Sequence, residues 1–182
     1  MVQKLPPLRR VLTGHDANGQ SVIVSDAPSP SPLTVPTRPG YMVANVWRTG
    51  AAPSDVNAPD DILAHKGVLP PERGTVIRVI DFPPEPEDPA EMKAMLDATF
   101  REIYPDADHT GETKGHSGMH RTLTVDYAIV LHGAITAVMD EGETVLTAGD
   151  ILIQRGTNHA WSNRSGEICR ICFVLIDASA SG

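Results

Sequence analysis

Aromatic residues, cysteines and long apolar runs are all scarce in this sequence. Aromatic side chains make up 4% of the 182 residues, so the position of each one is informative. No apolar run approaches the roughly 18 residues that a membrane-spanning helix needs. The basic N-terminus, MVQKLPPLRR, also lacks an apolar core of signal-peptide length. These absences predict a cytoplasmic protein that does not interact with membranes.

Positive charge is also in short supply. The sequence has 15 Lys and Arg residues against 23 Asp and Glu, which gives a formal net charge of −8. This balance argues against nucleic acid and anionic membrane surfaces as partners, because both attract proteins with excess positive charge. Apolar residues nevertheless make up 41% of the chain, which is enough to bury the core of one domain.

The sequence contains two cysteines, Cys169 and Cys172, spaced as C-x-x-C. Such a pair is a candidate for metal binding or redox chemistry. The surrounding segment, EICRICFVLID, has the composition of a β-strand, and residues three apart in a strand point to opposite faces. There is no second cysteine pair to complete a zinc site. We therefore interpret both as buried, unreactive strand cysteines.

The chain divides into a loosely patterned first part and a more regular second part. We expect residues 1–70, which include a Pro- and Ser-rich stretch, to form an N-terminal arm with short strands. Residues 71–177 should form the main domain and 178–182 a tail. One helix is predicted over 89–104, with Asp88 as its N-cap. The acidic run before this helix is expected to be solvent-exposed.

From residue 118 onward, strand signals follow one another at short spacing, separated by glycine turns. The predicted strands are 119–131, 134–139, 143–147, 150–154, 158–163 and 168–177. Many short strands without intervening helices are typical of an antiparallel sandwich or barrel. The predicted fold class is therefore all-β, with one helix outside the barrel.

Two stretches of this region carry polar side chains in a strand-like alternation. In MHRTLTVDYAIVLHG, one face shows His120, Thr122, Thr124 and Asp126. A polar row of this kind is typical of a strand that faces a solvated cavity. His120 and Asp126 are too far apart to meet along a straight strand, so a bend or bulge would have to bring them together.

In the second stretch, GDILIQRGTNHAWSN, the residues His159, Trp161 and Asn163 alternate onto one face. The series Gly149-x6-Gly156-x2-His159-x3-Asn163 resembles the second motif of the cupin family, G-x5-P-x-G-x2-H-x3-N, with one residue fewer between the two glycines and Gln154 at the proline position. The first cupin motif is G-x5-H-x-H-x3/4-E-x6-G. Asp126-x6-Gly133 fits its last part with Asp for Glu, and His120 and Thr122 fall at its two histidine positions. The resemblance covers about residues 115–177.

The resemblance implies a small single-domain cupin of the conserved-barrel type, a double-stranded β-helix or jelly roll. Cupins bind a first-row metal through three histidines and a glutamate. Carried over, that set becomes His120, Asp126 and His159, because Thr122 is a poor ligand. Two histidines and one carboxylate still suit Fe(II), Mn, Zn or Ni with open positions for substrate. His116, on the preceding Gly-rich loop, is an alternative ligand.

Several functions stay open on this basis, because the cupin fold serves many reactions. The first is a metal-dependent small-molecule enzyme, a lyase, decarboxylase or dioxygenase. The others are a metal-free cupin that binds a small ligand, and a metal-free dehydratase or isomerase that uses His120 and His159 as acid and base. We assign Thr122, Thr124, Trp161 and Arg155 to the substrate pocket. Small cupins usually pair, so we also expect a homodimer.

Overall fold

The computed structural model describes residues 4–30, 32–109 and 115–180. Within these ranges the chain forms strands and one α-helix. The strands are β1 (Arg9–His15), β2 (Ser21–Pro28), β3 (Leu33–Thr34), β4 (Met42–Thr49), β5 (Thr75–Phe82), β6 (Asp108–His109), β7 (His120–Arg121), β8 (Thr124–His132), β9 (Ala134–Met139), β10 (Glu143–Thr147), β11 (Ile151–Arg155), β12 (His159–Ser162) and β13 (Cys169–Asp177). The helix is α1 (Pro89–Ile103).

Two antiparallel sheets form the body of the molecule. One has six strands in the order β11-β8-β13-β5-β4-β3, and the other has five in the order β10-β9-β12-β7-β6. β13 is central to the larger sheet, where it pairs with both β5 and β8. The two cysteines on β13 are free and buried, as expected from their strand setting. The antiparallel β architecture predicted from the sequence is confirmed.

The main hydrophobic core draws its side chains from both sheets. Four of its aromatic rings form a chain of edge-to-face contacts that runs from Tyr41 through Phe82 and Phe173 to Trp161, with centroids 5.7, 6.4 and 5.1 Å apart. Such contacts stabilise a core beyond the burial of area alone. The few aromatic residues are thus concentrated in the barrel interior.

The helix forms where its N-terminal signals predict it. The carboxylate of Asp88 accepts hydrogen bonds from the backbone N–H groups of Ala90 and Glu91. These bonds satisfy donors that the first helical turn leaves free. On the helix, Leu96 is buried against the barrel and Phe100 packs beside the core. The predicted range of 89–104 is one residue longer than the observed helix.

The predicted strand 119–131 is wrong as a single element. The chain leaves β7 after Arg121 and enters β8 at Thr124, and these two strands belong to different sheets. A strand that switches sheets must bend at the corner of the barrel. This break places His120 and Asp126 in opposite sheets, so it does not bring the two side chains together along one strand.

The N-terminal strands lie in two different places. β1 and β2 form a separate hairpin, whereas β3 and β4 extend the six-stranded sheet beyond β5. The outer face near β8 and β11 exposes the apolar side chains Tyr127, Leu131, Ile151 and Ile153. The homodimer stays a prediction. No helix in the described part of the chain is long and apolar enough to cross a membrane.

The turn between β8 and β9 requires glycine at position 133. Gly133 has φ +74°, and a β-carbon there would lie 2.6 Å from the carbonyl oxygen of Ile168. Gly142 has a similar φ of +85° but no atom within 4 Å of such a β-carbon. A side chain at position 133 would therefore meet both backbone strain and a backbone clash, whereas a side chain at position 142 would meet only the strain.

We expect Gly133→Ala to lower the free energy of unfolding by at least about 3 kcal/mol, because the clash adds to the strain. Gly142→Ala, the matched control, should cost only about 1 kcal/mol for its left-handed backbone. Urea denaturation measures both values. Equal losses in the two variants would contradict the close packing of this turn.

Candidate active site in the barrel

Two histidines face each other inside the barrel because their strands are neighbours. β7 pairs with β12 so that His120 lies directly opposite His159. Their ring centroids are 4.3 Å apart, with the planes tilted by 46°. Residues that lie far apart in sequence are thus brought into contact by strand register alone.

Backbone carbonyls fix the orientation of both imidazole rings. The Nδ1–H of His120 donates to the carbonyl of Gly118 at 2.9 Å. Nδ1 of His159 lies 3.0 Å from the carbonyl oxygen of Thr157 and 2.9 Å from the amide nitrogen of Gln154. A carbonyl only accepts, so in neutral His120 the proton sits on Nδ1 and Nε2 carries the free lone pair.

Both rings are held in the neutral form. Burial and the nearby His159 lower the pKa of His120 to about 3. Burial lowers the pKa of His159 to about 4. Near pH 7 the site therefore presents two neutral imidazoles, and Nε2 of His120 can accept a proton or a metal.

Asp126 lies on β8, in the opposite sheet, with its side chain only 5% exposed. Its Oδ1 is buried without a hydrogen-bond partner among the described residues. Burial raises the pKa of Asp126 to about 6, although the Thr124 hydroxyl and the charge of Arg78 act in the opposite direction. A carboxyl group with a raised pKa in a cavity is a candidate for proton transfer.

His120, Asp126 and His159 are the predicted ligands of a metal ion. Their donor types suit a first-row metal, and the Nδ1–H bond of His120 to a carbonyl is the arrangement found in metal-ligating histidines. However, no three His, Cys, Asp or Glu side chains within residues 4–30, 32–109 and 115–180 lie close enough to hold one ion. The described donor set does not fit the three-ligand site, which stays a prediction.

His116 is occupied elsewhere. Its Nε2–H donates to Oε1 of Glu85 at 2.9 Å, and its Nδ1 accepts the backbone N–H of Gly118 at 3.0 Å. Glu85 also accepts a hydrogen bond from the hydroxyl of Ser162. With both ring nitrogens engaged, His116 acts here as a structural residue. The expected solvent exposure of the acidic run is wrong for Glu85, whose side chain is 9% exposed.

The predicted pocket residues fall in different places. Thr122 and Trp161 line the cavity with the two histidines. Thr124 is buried next to it, and its hydroxyl is 2.8 Å from that of Thr122. Arg155 is exposed at the end of β11 and lies beside a different surface depression. The first three residues can therefore shape the cavity, and Arg155 does not reach it.

The cavity itself is small and mostly apolar. Its free volume of about 70 Å³ is several times the roughly 10–15 Å³ that one water molecule occupies by the same kind of measure. Aromatic and aliphatic side chains form most of its wall, chiefly Ile80, Phe82, Leu96, Phe100, Phe173 and Leu175. An enclosed apolar cavity with a few converging polar groups is the usual form of a small-molecule site.

Five polar residues of the wall were missed by the sequence reasoning. They are Arg38, Tyr41, Arg78, Thr99 and Tyr104. Arg78 did leave a signal, since it alternates with Ile80 and Phe82 on the same face of an apolar strand. Arg38 and Tyr41 lie in or next to the Pro-rich stretch that we interpreted as an arm, so only tertiary structure reveals their role.

Two antiparallel sheets that enclose a histidine-bearing cavity define a cupin barrel. No protein-family model matches the sequence. The chain is 34% identical over 185 residues to phomopsin biosynthesis cluster protein C′ of Diaporthe leptostromiformis, which covers 95% of this chain and 82% of that protein. The chain belongs to the cupin superfamily.

Two further proteins are similar to this chain. The cupin-domain-containing oxidoreductase fogC of Aspergillus ruber is 29% identical over 178 residues, which covers 93% of this chain and 72% of fogC. A Cupin 2 conserved barrel domain protein from Salinispora arenicola is 12% identical, with a TM-score of 0.42 over 80% of this chain and 82% of that one.

The raised pKa of Asp126 has a consequence for stability. Between its ordinary pKa of 3.8 and about 6, the folded chain binds this proton more tightly than the unfolded chain does. Stability from this group is therefore present at low pH and is lost as the pH rises through 6. Above pH 6, the buried charge destabilises the fold.

We expect Asp126→Asn to raise the free energy of unfolding at pH 8 by about 1–3 kcal/mol, since one pKa unit corresponds to about 1.4 kcal/mol. The gain should shrink at pH 4, where the wild-type carboxyl is protonated. Urea denaturation at both pH values measures it, with Asp97→Asn on the exposed face of the helix as a control. A variant less stable than wild type at pH 8 would contradict this electrostatic account.

Proposed function

We propose that this cupin is a small-molecule enzyme that transfers protons on a substrate held in the barrel, with His120 and His159 as the groups that accept a proton and return it. The observation that carries the proposal is the pair of neutral imidazoles, 4.3 Å apart, in one cavity. Dehydration, isomerisation and tautomerisation all need a base that removes a proton, and an imidazole that has taken the proton from the substrate becomes the acid that returns it.

The residues of the site supply distinct parts of such a reaction. A free Nε2 on one histidine accepts a proton from the substrate, while the carbonyl bond at Nδ1 prevents the ring from turning. The apolar wall, including Trp161, excludes water from the reacting atoms. Asp126, with a pKa of about 6, provides a further group that can hold or release a proton near neutral pH.

A metal-dependent oxidoreductase is the second candidate. It is favoured by the name of the relative fogC, a cupin-domain-containing oxidoreductase, and by the orientation of His120 and His159. A divalent Fe, Mn, Zn or Ni ion would supply Lewis-acid or oxygen chemistry when bound. The two imidazoles would need a further ligand beyond those that the described residues place beside them.

Proton transfer is measurable without knowledge of the natural substrate. Small carbonyl compounds with acidic C–H bonds are incubated with the protein in D2O, and exchange is followed by proton NMR. We expect wild-type protein to accelerate exchange, and His120→Gln or His159→Gln to slow it by about 100-fold or more. His132→Gln, exposed at the end of β8, is the matched control. Undiminished exchange in a variant lacking both cavity histidines would contradict the proposal.

Metal content separates the second candidate from the first. Protein purified without added metal is analysed by inductively coupled plasma mass spectrometry, before and after reconstitution with Fe(II), Mn, Zn or Ni. The metal-dependent candidate requires a stoichiometric ion that disappears in His159→Ala. Consistent absence of metal after reconstitution would rule that candidate out.

A further inference from the structure

Two buried arginines face the cavity that holds the histidines. Arg38 is 4% exposed and Arg78 is 1% exposed, and both line the cavity wall. Arg38 precedes β4, whereas Arg78 lies in the middle of β5, so different segments bring them to one place. Neither was part of the site expected from the sequence.

Neither arginine has a carboxylate partner within the described ranges. The guanidinium of Arg38 lies 4.1 Å above the ring of Tyr41 and makes no side-chain hydrogen bond with a described residue. Arg78 donates from Nη2 to His65 Nε2 at 3.0 Å and to the Gly67 carbonyl at 2.9 Å. The Nε and Nη1 of Arg78 have no partner in that part of the chain.

Another arginine of the same sheet shows the contrast. Arg170 donates from Nε and Nη2 to the two carboxylate oxygens of Asp81, at 2.6 and 2.8 Å. Around the cavity, the described acidic groups form no such hydrogen-bonded pair with Arg38 or Arg78. Glu85 accepts from His116 and Ser162 and acts on Arg38 only through its charge. Asp126 likewise makes no hydrogen bond to Arg78, although the Arg78 charge acts on it.

An unpaired buried guanidinium is unfavourable for folding. Arginine stays protonated in proteins, so it cannot avoid the cost by losing its charge. Removing a charge from water without a partner is strongly destabilising. Two such groups at one cavity therefore favour a negatively charged partner there.

We propose that Arg38 and Arg78 bind the carboxylate of a small organic acid, and that this acid is the substrate class of the site. The apolar wall of the cavity would receive the body of the acid, and the Tyr41 and Tyr104 hydroxyls, 3.0 Å apart, add hydrogen-bonding groups beside the two guanidinium groups. That the bound acid is a substrate rests on the proposed function. That the two arginines bind a carboxylate does not.

The expected selectivity for anions arises from the cavity and not from the charge of the whole protein. With a formal net charge of −8, the chain as a whole repels anions. Within the low-dielectric cavity, the two guanidinium groups act at short range and with little screening. A neutral molecule of the same shape gains none of this attraction.

The test compares benzoate with benzamide, its uncharged counterpart, by isothermal titration calorimetry. We expect benzoate to bind at least about 10-fold more tightly than benzamide, because charge-assisted hydrogen bonds are lost in the amide. Arg38→Met should weaken benzoate by at least about 10-fold and leave benzamide unchanged. Arg164→Met, which removes an exposed arginine paired with Glu143, is the control for net charge and should bind like wild type.

Thermal unfolding without ligand separates a binding role from a structural one. If Arg38 serves a ligand, Arg38→Met should keep or raise the melting temperature, since it removes an unpaired buried charge. Benzoate should raise the melting temperature of wild type and not that of the variant. Equal affinities for benzoate and benzamide, or full benzoate affinity in Arg38→Met and Arg78→Lys, would overturn the inference.

These outcomes are independent of turnover. Benzoate bound through Arg38 in a protein that exchanges no substrate protons would support the anion site and refute the proposed function. Proton exchange that depends on His120 but treats acids and their amides alike would refute the anion site and support the proposed function.

Discussion

The site depends on the point where the chain passes from one sheet to the other, between His120 and Thr124. Before this point the chain pairs with β12, and after it the chain pairs with β13 and β11. The first pairing sets His120 opposite His159. The second places Asp126 on the far wall of the same cavity. A continuous strand would have left these groups in a single row.

That separation organises the electrostatics of the barrel. The five-stranded sheet contributes two neutral bases, whereas the six-stranded sheet contributes Asp126 and Arg78. The low pKa values of the two histidines are those of the protein without ligand. Burial is the largest cause of the lowering in both. A carboxylate beside the arginines would favour the protonated imidazole and so raise its pKa. Binding and proton transfer would thus be linked through charge.

The sequence was sufficient for features that depend on local patterns. The Asp88 cap and the motif that ends in His159 and Asn163 each contain their own signal within a few residues. His120 and His159 were found together because a family pattern supplied the long-range contact. The break at Thr122 was not predictable, because RTLTV is strand-like on both sides of the corner. Arg38 and Glu85 were missed for the same reason, since only tertiary packing buries them.

Glu85 gives the arrangement a further property. One of its oxygens bonds His116, just before β7, and the other bonds Ser162, at the end of β12. A single carboxylate outside the cavity wall therefore ties together the two strands that carry the imidazoles. These two bonds act in addition to the backbone pairing that places His120 opposite His159. Glu85 thus links the two histidine-bearing strands without being one of the residues that line the cavity.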